Sequence, residues 1–262
     1  MPARENEHPN LRRKLICCEV FVREMCAAVA RSRHTIDIEF LPKGLHDIGS
    51  DGMRARLQDV LDRVDEPLYD AILFGYGLCN NGIVGLEARG VPLVIPRAHD
   101  CITLFLGSHR RYLEYFRANP GTYFCTTGWI ERGEAAGEYA QLAIGNQSGM
   151  NKTYEELVEE YGEDNAQFLH EQLTEWTRHY RQITYISMGL EGEGPFEEES
   201  RRRALEKRWE FDKVNGDMGM LTRLLDGNWS KGEFLVVPPG NRIAPSYDDC
   251  VIRAEPAPEK AP

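Results

Sequence analysis

Apolar positions along the chain come in two forms: short continuous runs, and stripes that recur every three or four residues. The run Leu15–Val20 (LICCEV) predicts a strand, and Phe21, Val22, Met25, Cys26 and Val29 continue it at helical spacing through Arg31. Glu19 and Glu24 fall near the start of that helix, where acidic groups oppose its positive end. Ile36–Leu41 (IDIEFL) alternates like a second strand and is ended by Pro42 and Gly44. After a connection over His46–Asp51, the stripe Met53, Leu57, Val60, Leu61 and Val64 predicts a helix over 52–64 that Asp51 is placed to cap. Tyr69–Phe74 is a third strand and Ile83–Arg89 a short helix closed by Gly90. Val91–Ile95 is a fourth strand, Ile102–Arg117 a helix and Thr122–Thr126 a fifth strand.

This alternation of strand and helix predicts an α/β fold: a Rossmann-like three-layer arrangement with helices on both faces of a mostly parallel sheet. The pattern then weakens. Glu131–Gly149 is glycine-rich and reads as a long connection, and Tyr154–Tyr180 as helical. Ile183–Met188 is a strand, Glu197–Val214 a strongly charged helix, Asp217–Leu225 a shorter helix and FLVV (234–237) the last strand, with Ser246–Pro262 expected to be mostly a mobile tail. The reading is a Rossmann-like core over residues 11–125 and a smaller helical and α/β second lobe over 126–245.

Composition narrows the function classes. A chain of 262 residues, 42% hydrophobic and 28% charged, suits a soluble globular protein. Its net charge of -11, from 31 basic and 42 acidic residues, argues against a nucleic-acid partner. No apolar run approaches spanning length and the N-terminal stretch lacks an apolar core, so the expectation is a cytoplasmic protein without membrane contact. Seven cysteines is an odd number in a chain large enough to need no disulfide staples, so free thiols, a metal site or a catalytic thiol are favoured.

The candidate chemistry lies after the strands, where loops of an open parallel sheet form the ligand crevice. Cys17 or Cys18 ends the first strand, Cys79 follows the third and Cys101 the fourth. Alternation lets only one of the first two face a given side, and Cys18 is nearer the strand end. Thiolates from Cys18, Cys79 and Cys101, with His99 as nitrogen donor, would suit zinc or another thiophilic transition metal. Arg97 could clamp an anionic group, His99 could move a proton, and Asp100 could orient it or simply cap the next helix. Gly75, Gly77 and Gly82 in GYGLCNNG permit tight turns and close approach of a cofactor. The loop lacks the sixth-position glycine of a dinucleotide fingerprint, where Asn80 stands, and lacks a P-loop lysine. Cys26 on its helical stripe, Cys125 inside a strand and Cys250 near the tail read as packing or incidental residues. Tyr123 and Trp129 read as an aromatic wall or as core.

The blocks GYGLCNNG, VPLVIPRAHDCITLFLGS and PGTYFCTTGW, with CCEV upstream and YGEDNAQFL downstream, resemble the domain of unknown function 1638 (DUF1638) family of bacteria and archaea over approximately residues 14–240. Asn80 stands where that family's pattern has glycine. The recurrent blocks of the family correspond here to Cys18, Cys79, Arg97, His99, Asp100 and Cys101. Association of its members with corrinoid-dependent methyl transfer or sulfur metabolism implies a one-carbon or methylthio role, with a small anionic or sulfur-containing substrate and a corrinoid methyltransferase system as partner.

Three readings compete. A metal-dependent enzyme would hold the ion on the three cysteines and use it in methyltransferase-like or hydrolase-like chemistry. A non-catalytic accessory would deliver metal or cofactor to a corrinoid methyltransferase system; the chain has no DxHxxG motif with which to carry a corrinoid itself. A metal-free enzyme would use Cys79 as nucleophile with His99 as base.

Overall fold

Strand β1 (Arg12–Cys18) is almost wholly buried from Leu15 onward and occupies an inner position of a five-stranded sheet. A strand covered on both faces is apolar at consecutive positions, which is why LICC does not alternate. In the computed structural model, which describes residues 10–79, 81–133, 155, 158–159, 162–163, 165–167 and 179–258, the sheet order is β2-β1-β3-β4-β8. β2 (Thr35–Leu41), β3 (Ala71–Gly75) and β4 (Leu93–Pro96) run parallel with β1, and β8 (Phe234–Val237) is antiparallel to β4. The architecture is α/β, with mixed sheets and interspersed helices.

A 3-10 turn over Glu19–Phe21 leads β1 into α1 (Val22–Val29), which buries Met25 and Ala28. α2 (Gly49–Asp62) covers the sheet with Met53, Leu57, Val60 and Leu61. Asp51 lies inside its first turn rather than at the cap, which is Ile48. The helix predicted over 102–117 is two helices, α3 (Cys101–Leu106) and α4 (His109–Ala118). Gly107, at φ +77°, turns the chain between them, and Ser108 caps the second through Arg111 N.

A second, three-stranded parallel sheet has the order β5-β6-β7, from β5 (Thr122–Thr126), β6 (Gln182–Ser187) and β7 (Glu210–Asn215). The predicted helix over 197–214 is corrected. α6 spans Gly194–Lys207, Arg208 adopts φ +56° and stops it, and the chain continues as β7. β7 is an edge strand with Glu210 and Lys213 exposed, so its charge imitates a solvated helix face. α5 (Thr127–Glu131) follows β5 and joins the two sheets: a Cβ on Gly128 would stand 1.7 Å from the Val20 carbonyl oxygen, so only glycine permits that docking.

After α7 (Gly219–Asp226), which packs on α1, the chain returns to the first sheet as β8. The expected mobile tail instead contains a hairpin of β9 (Asn241–Pro245) and β10 (Ile252–Pro256), which buries Ile243, Ala244, Val251 and Ile252. That hairpin also explains why 83–89 is not the predicted helix. Gly85 N donates to Ile243 O at 2.8 Å, Ala88 N to Asn241 O at 2.9 Å, and Ile243 N to Leu86 O at 2.9 Å, so β9 takes the bonds a helix would have used. The connection expected over 131–149 lies outside the described residues from 134 onward, as does most of the helix expected over 154–180. No helix among the described residues is long and apolar enough to cross a membrane.

One buried acid sits in this frame without compensation. Glu24 on α1 is 1% exposed and neither carboxylate oxygen has a hydrogen-bond partner. Burial lifts its pKa from 4.5 to about 7, and Glu193 adds to the lift while its own backbone N–H and Arg23 oppose it. The folded state therefore holds this proton more tightly than the unfolded chain. Below about pH 4.5 both states are protonated and Glu24 costs nothing; as pH rises through 7 the folded state loses on the order of 3 kcal/mol relative to that limit. Denaturant unfolding of the native chain and of Glu24→Gln at pH 5 and pH 8 should show the native chain losing stability between those values and the variant losing clearly less. Equal losses would remove Glu24 as the source.

Candidate functional site

β1 and β3 pair in parallel, with Cys17 opposite Gly75. The chain leaves β1 towards β2 on one side and leaves β3 towards β4 on the other. Loops that depart in opposite directions leave a crevice outside the carboxyl ends of the two strands. Cys18 is the last residue of β1, Cys79 lies in the loop after β3, and Cys101 opens α3 after β4.

These three thiols are near enough to act on one another electrostatically. All are buried, with Cys18 2% and Cys79 and Cys101 each 8% exposed. Burial pushes Cys18 up to about 12 and raises Cys79 and Cys101 further. The thiols also raise one another: Cys18 acts on Cys79, and both act on Cys101. Without a cation they are neutral thiols at pH 7, poor nucleophiles and poor ligands. Cys17 is not part of this group. Its Sγ lies 3.5 Å from Gly75 O on the side of Met25, and a Cβ on Gly75 would stand 2.2 Å from that sulfur.

Four further side chains close around the thiols. A 3-10 turn over Lys43–Asp47 follows β2, anchored by Lys43 N donating to Glu19 Oε1 at 2.8 Å. It carries His46, whose Nε2 is 3.7 Å from Cys18 Sγ. Burial, then Lys43, lowers the His46 pKa to about 4, so its imidazole is neutral at pH 7. The Lys43 ammonium lies 4.8 Å from the centre of the Trp129 ring and donates to Gly133 O at 3.1 Å. Trp129, presented by α5, donates its indole N–H to Cys101 Sγ at 3.1 Å. Tyr76 is 1% exposed and its hydroxyl has no hydrogen-bond partner, although Cys18 and Cys79 are near enough to act on it.

Cys79 itself is held in an unusual backbone conformation, φ +46°, followed by Asn81 at φ +64°. Such non-glycine positions cost about 1–3 kcal/mol each and persist where surrounding contacts over-determine them. Here Leu78 N donates to Ala98 O at 2.7 Å and Cys79 N to His99 O at 3.0 Å, clamping the loop to the segment after β4. Asn80, between the two strained residues, lies outside the described residues.

The remaining residues singled out from sequence have other surroundings. The His99 ring is exposed and packs against His109 at 5.4 Å between centroids; only its backbone meets the thiol loop. Asp100 caps α3, accepting from Ile102 N at 3.0 Å and Thr103 N at 3.3 Å, and receives Tyr112 Oη at 3.4 Å. Arg97 donates to the carbonyls of Lys231 and Cys250, each at 2.8 Å, and to that of Ile252, so its guanidinium ties down the C-terminal hairpin. Gly75, Gly77 and Gly82 are close-packing positions: a Cβ would meet Cys17 Sγ at 2.2 Å, the Asp100 backbone at 2.9 Å and Met53 Sδ at 2.2 Å respectively. Lys43, His46 and Tyr76 were missed. The strand-end rule that selected the cysteines, applied also to the end of β2, points to Lys43 and His46.

Among the described residues no three His, Cys, Asp or Glu side chains already stand at metal-ligand spacing. The arrangement does supply soft donors from separate elements, a neutral imidazole against one of them, and N–H, O–H and ammonium groups that favour negative charge on sulfur.

The sequence model of a family described as "Protein of unknown function (DUF1638)" matches residues 40–225 of this chain. That range holds His46, Tyr76, Cys79, Cys101 and Trp129 and leaves out Cys18. No curated protein and no solved structure matches the chain.

Two outcomes follow from the geometry. A disulfide-forming thiol reagent should label Cys26 and Cys250, the two exposed cysteines, rapidly in the native protein, and the other five only on unfolding. Fast native labelling of Cys79 would contradict its burial. Asp100→Ala should lower stability by about 1 kcal/mol through loss of the α3 cap, read from the denaturation midpoint; no loss would contradict the capping role.

Proposed function

The chain belongs to the DUF1638 family, and we propose that it is a metal-dependent enzyme that takes zinc or another thiophilic transition metal on Cys18, Cys79 and Cys101. One observation supports this reading: three buried thiols that act on one another come from the ends of three neighbouring parallel strands, at the point where the sheet's connections change direction. An ion at such a site lowers the pKa of a bound thiol or water and holds it as a nucleophile. The chain's own groups would do the rest. The Lys43 ammonium lies beside the thiols and suits an anionic substrate group, whereas the Arg97 guanidinium is held on the backbone carbonyls of the C-terminal segment. Tyr76 offers an unpartnered O–H to a reacting atom.

The substrate class is a small anionic or sulfur-containing molecule, and the reaction class is methyl or methylthio transfer, with a corrinoid methyltransferase system as partner. The five-stranded sheet would then be the centre of a Rossmann-like three-layer fold with a smaller α/β lobe. Seven free cysteines suit the reducing conditions of a cytoplasm. A metal-free cysteine nucleophile is less well supported, because burial keeps the thiols protonated and the His99 ring is turned to solvent.

Elemental mass spectrometry on full-length protein purified without chelator should find about one equivalent of zinc or another transition metal per chain, much reduced in Cys79→Ser and Cys101→Ser. Protein that takes up no metal after anaerobic reconstitution would sink the proposal. Variants that fold and keep their metal would show the site assignment to be wrong. Metal that is bound weakly and passed on, with no turnover of methyl or methylthio substrates, would replace the enzyme by a metal-delivery protein.

A further inference from the structure

Resting on the reading of the three cysteines as ligands, we propose that the nitrogen donor is His46 through Nε2, not His99, and that the site is a tetrahedral zinc site formed by Cys18, His46, Cys79 and Cys101. The argument begins with one distance. Two ligands on a tetrahedral zinc, with Zn–S about 2.3 Å and Zn–N about 2.0–2.1 Å, lie ~3.6 Å from each other. Cys18 Sγ and His46 Nε2 are 3.7 Å apart. One edge of the coordination tetrahedron is thus already present. The other two donors are cysteines on which Cys18 acts electrostatically; among the described residues the set does not yet stand at ligand spacing, so loading would close it around the ion. His99 has no comparable position: its ring is exposed and rests on His109.

The surroundings carry the proposal independently of that distance. Three thiolates and one divalent cation leave a single net negative charge, which burial makes costly unless it is balanced. Lys43 supplies a positive charge near the thiols and is held by the Trp129 ring and the Gly133 carbonyl. The Trp129 N–H on Cys101 Sγ is a donor aimed at a sulfur, which is what a ligating thiolate accepts. The Tyr76 hydroxyl, wholly buried and unpartnered beside Cys18 and Cys79, is a polar group with nothing to bond until a thiolate or a ligand stands there. These groups would be oddly placed around a dry cluster of neutral thiols. With four protein donors the site would be closed at rest, and a substrate atom would have to add as a fifth ligand.

The competing account of the 3.7 Å approach is a thiol–imidazole hydrogen bond with no metal role. The experiment separates the two and also separates this proposal from the one it rests on. Full-length protein is stripped, reloaded with zinc or cobalt(II), and titrated against a competing chelator. His46→Gln should lose zinc affinity by at least ~100-fold, more than the loss of a merely orienting partner, and should alter the cobalt(II) visible spectrum while its far-UV circular dichroism stays that of the native chain. His46→Cys should recover binding with stronger thiolate-to-metal absorption, and His99→Gln should behave as the native protein. X-ray absorption on the zinc-loaded native chain needs no variant and should show three sulfurs and one imidazole. Unchanged affinity and spectrum in His46→Gln, a loss confined to His99→Gln, or an absorption edge without imidazole would overturn the assignment of His46 while leaving the three-cysteine site standing. A native chain that takes up no metal would overturn the three-cysteine site itself, and His46 with it.

Discussion

The parallel pairing of β1 with β3 is the contact on which the rest of the molecule depends. It is close because Gly75 has no side chain: the space where a Cβ would project is occupied by Cys17 Sγ and the Met25 methyl group. The pairing fixes the register Cys17 to Gly75, and with it the level at which both strands end. Because side chains alternate along a strand, sending Cys17 into the core under α1 sends Cys18 to the opposite side, towards the turn that carries His46. A slip of one residue in β1 would exchange the two cysteines and remove Cys18 from the other thiols. The site is therefore a consequence of sheet register more than of any loop.

Much of this was legible in the sequence, for a physical reason. Continuous apolar runs such as AILF and PLVI mark buried parallel strands whichever helices cover them, and β5 and β8 fall where their runs predict. Reactive residues just after such runs must sit at one edge of the sheet, so Cys18, Cys79 and Cys101 could be grouped without coordinates. What could not be read is which way a side chain turns once the chain has left the strand. Arg97, His99 and Asp100 all lie within four residues of Cys101, yet one anchors a hairpin far later in the chain, one faces solvent and one caps a helix. The cap is one of the two local readings of Asp100; the roles of Arg97 and His99 depend on β9, β10 and α4, whose positions no local pattern specifies.

His46 was hidden for the complementary reason. It lies on a short 3-10 turn with no periodicity, and it reaches the thiols only because β2 is the neighbour of β1 rather than of β3. Strand order is a non-local property. β7 was misread through chemistry instead: it is an edge strand with no fully buried residue, exposing charge at Glu210 and Lys213, and a solvated helix carries the same composition. The 83–89 segment shows a third kind of failure, in which a distant strand offered better backbone hydrogen bonds than the local helix.

Local costs converge on a single place in this fold. Cys79 holds a left-handed backbone, the Tyr76 hydroxyl is buried without a partner, three thiols crowd one another, and an ammonium is drawn into partial burial beside them. Elsewhere among the described residues, buried side-chain atoms without a partner are scattered singly, on Arg13, Thr103 and His109, apart from the Glu24 carboxyl. A stable scaffold that concentrates such departures at the carboxyl ends of its strands has a reason to keep them there. The Lys43 ammonium, the Trp129 N–H and the Tyr76 O–H would all become favourable if the sulfurs carried negative charge, whereas Asp100, Glu19 and the other thiols oppose it. Neutral thiols do not supply that charge, and burial opposes it. The metal ion proposed above would reverse that balance, because thiolates on a cation would turn the Lys43, Trp129 and Tyr76 groups into favourable partners.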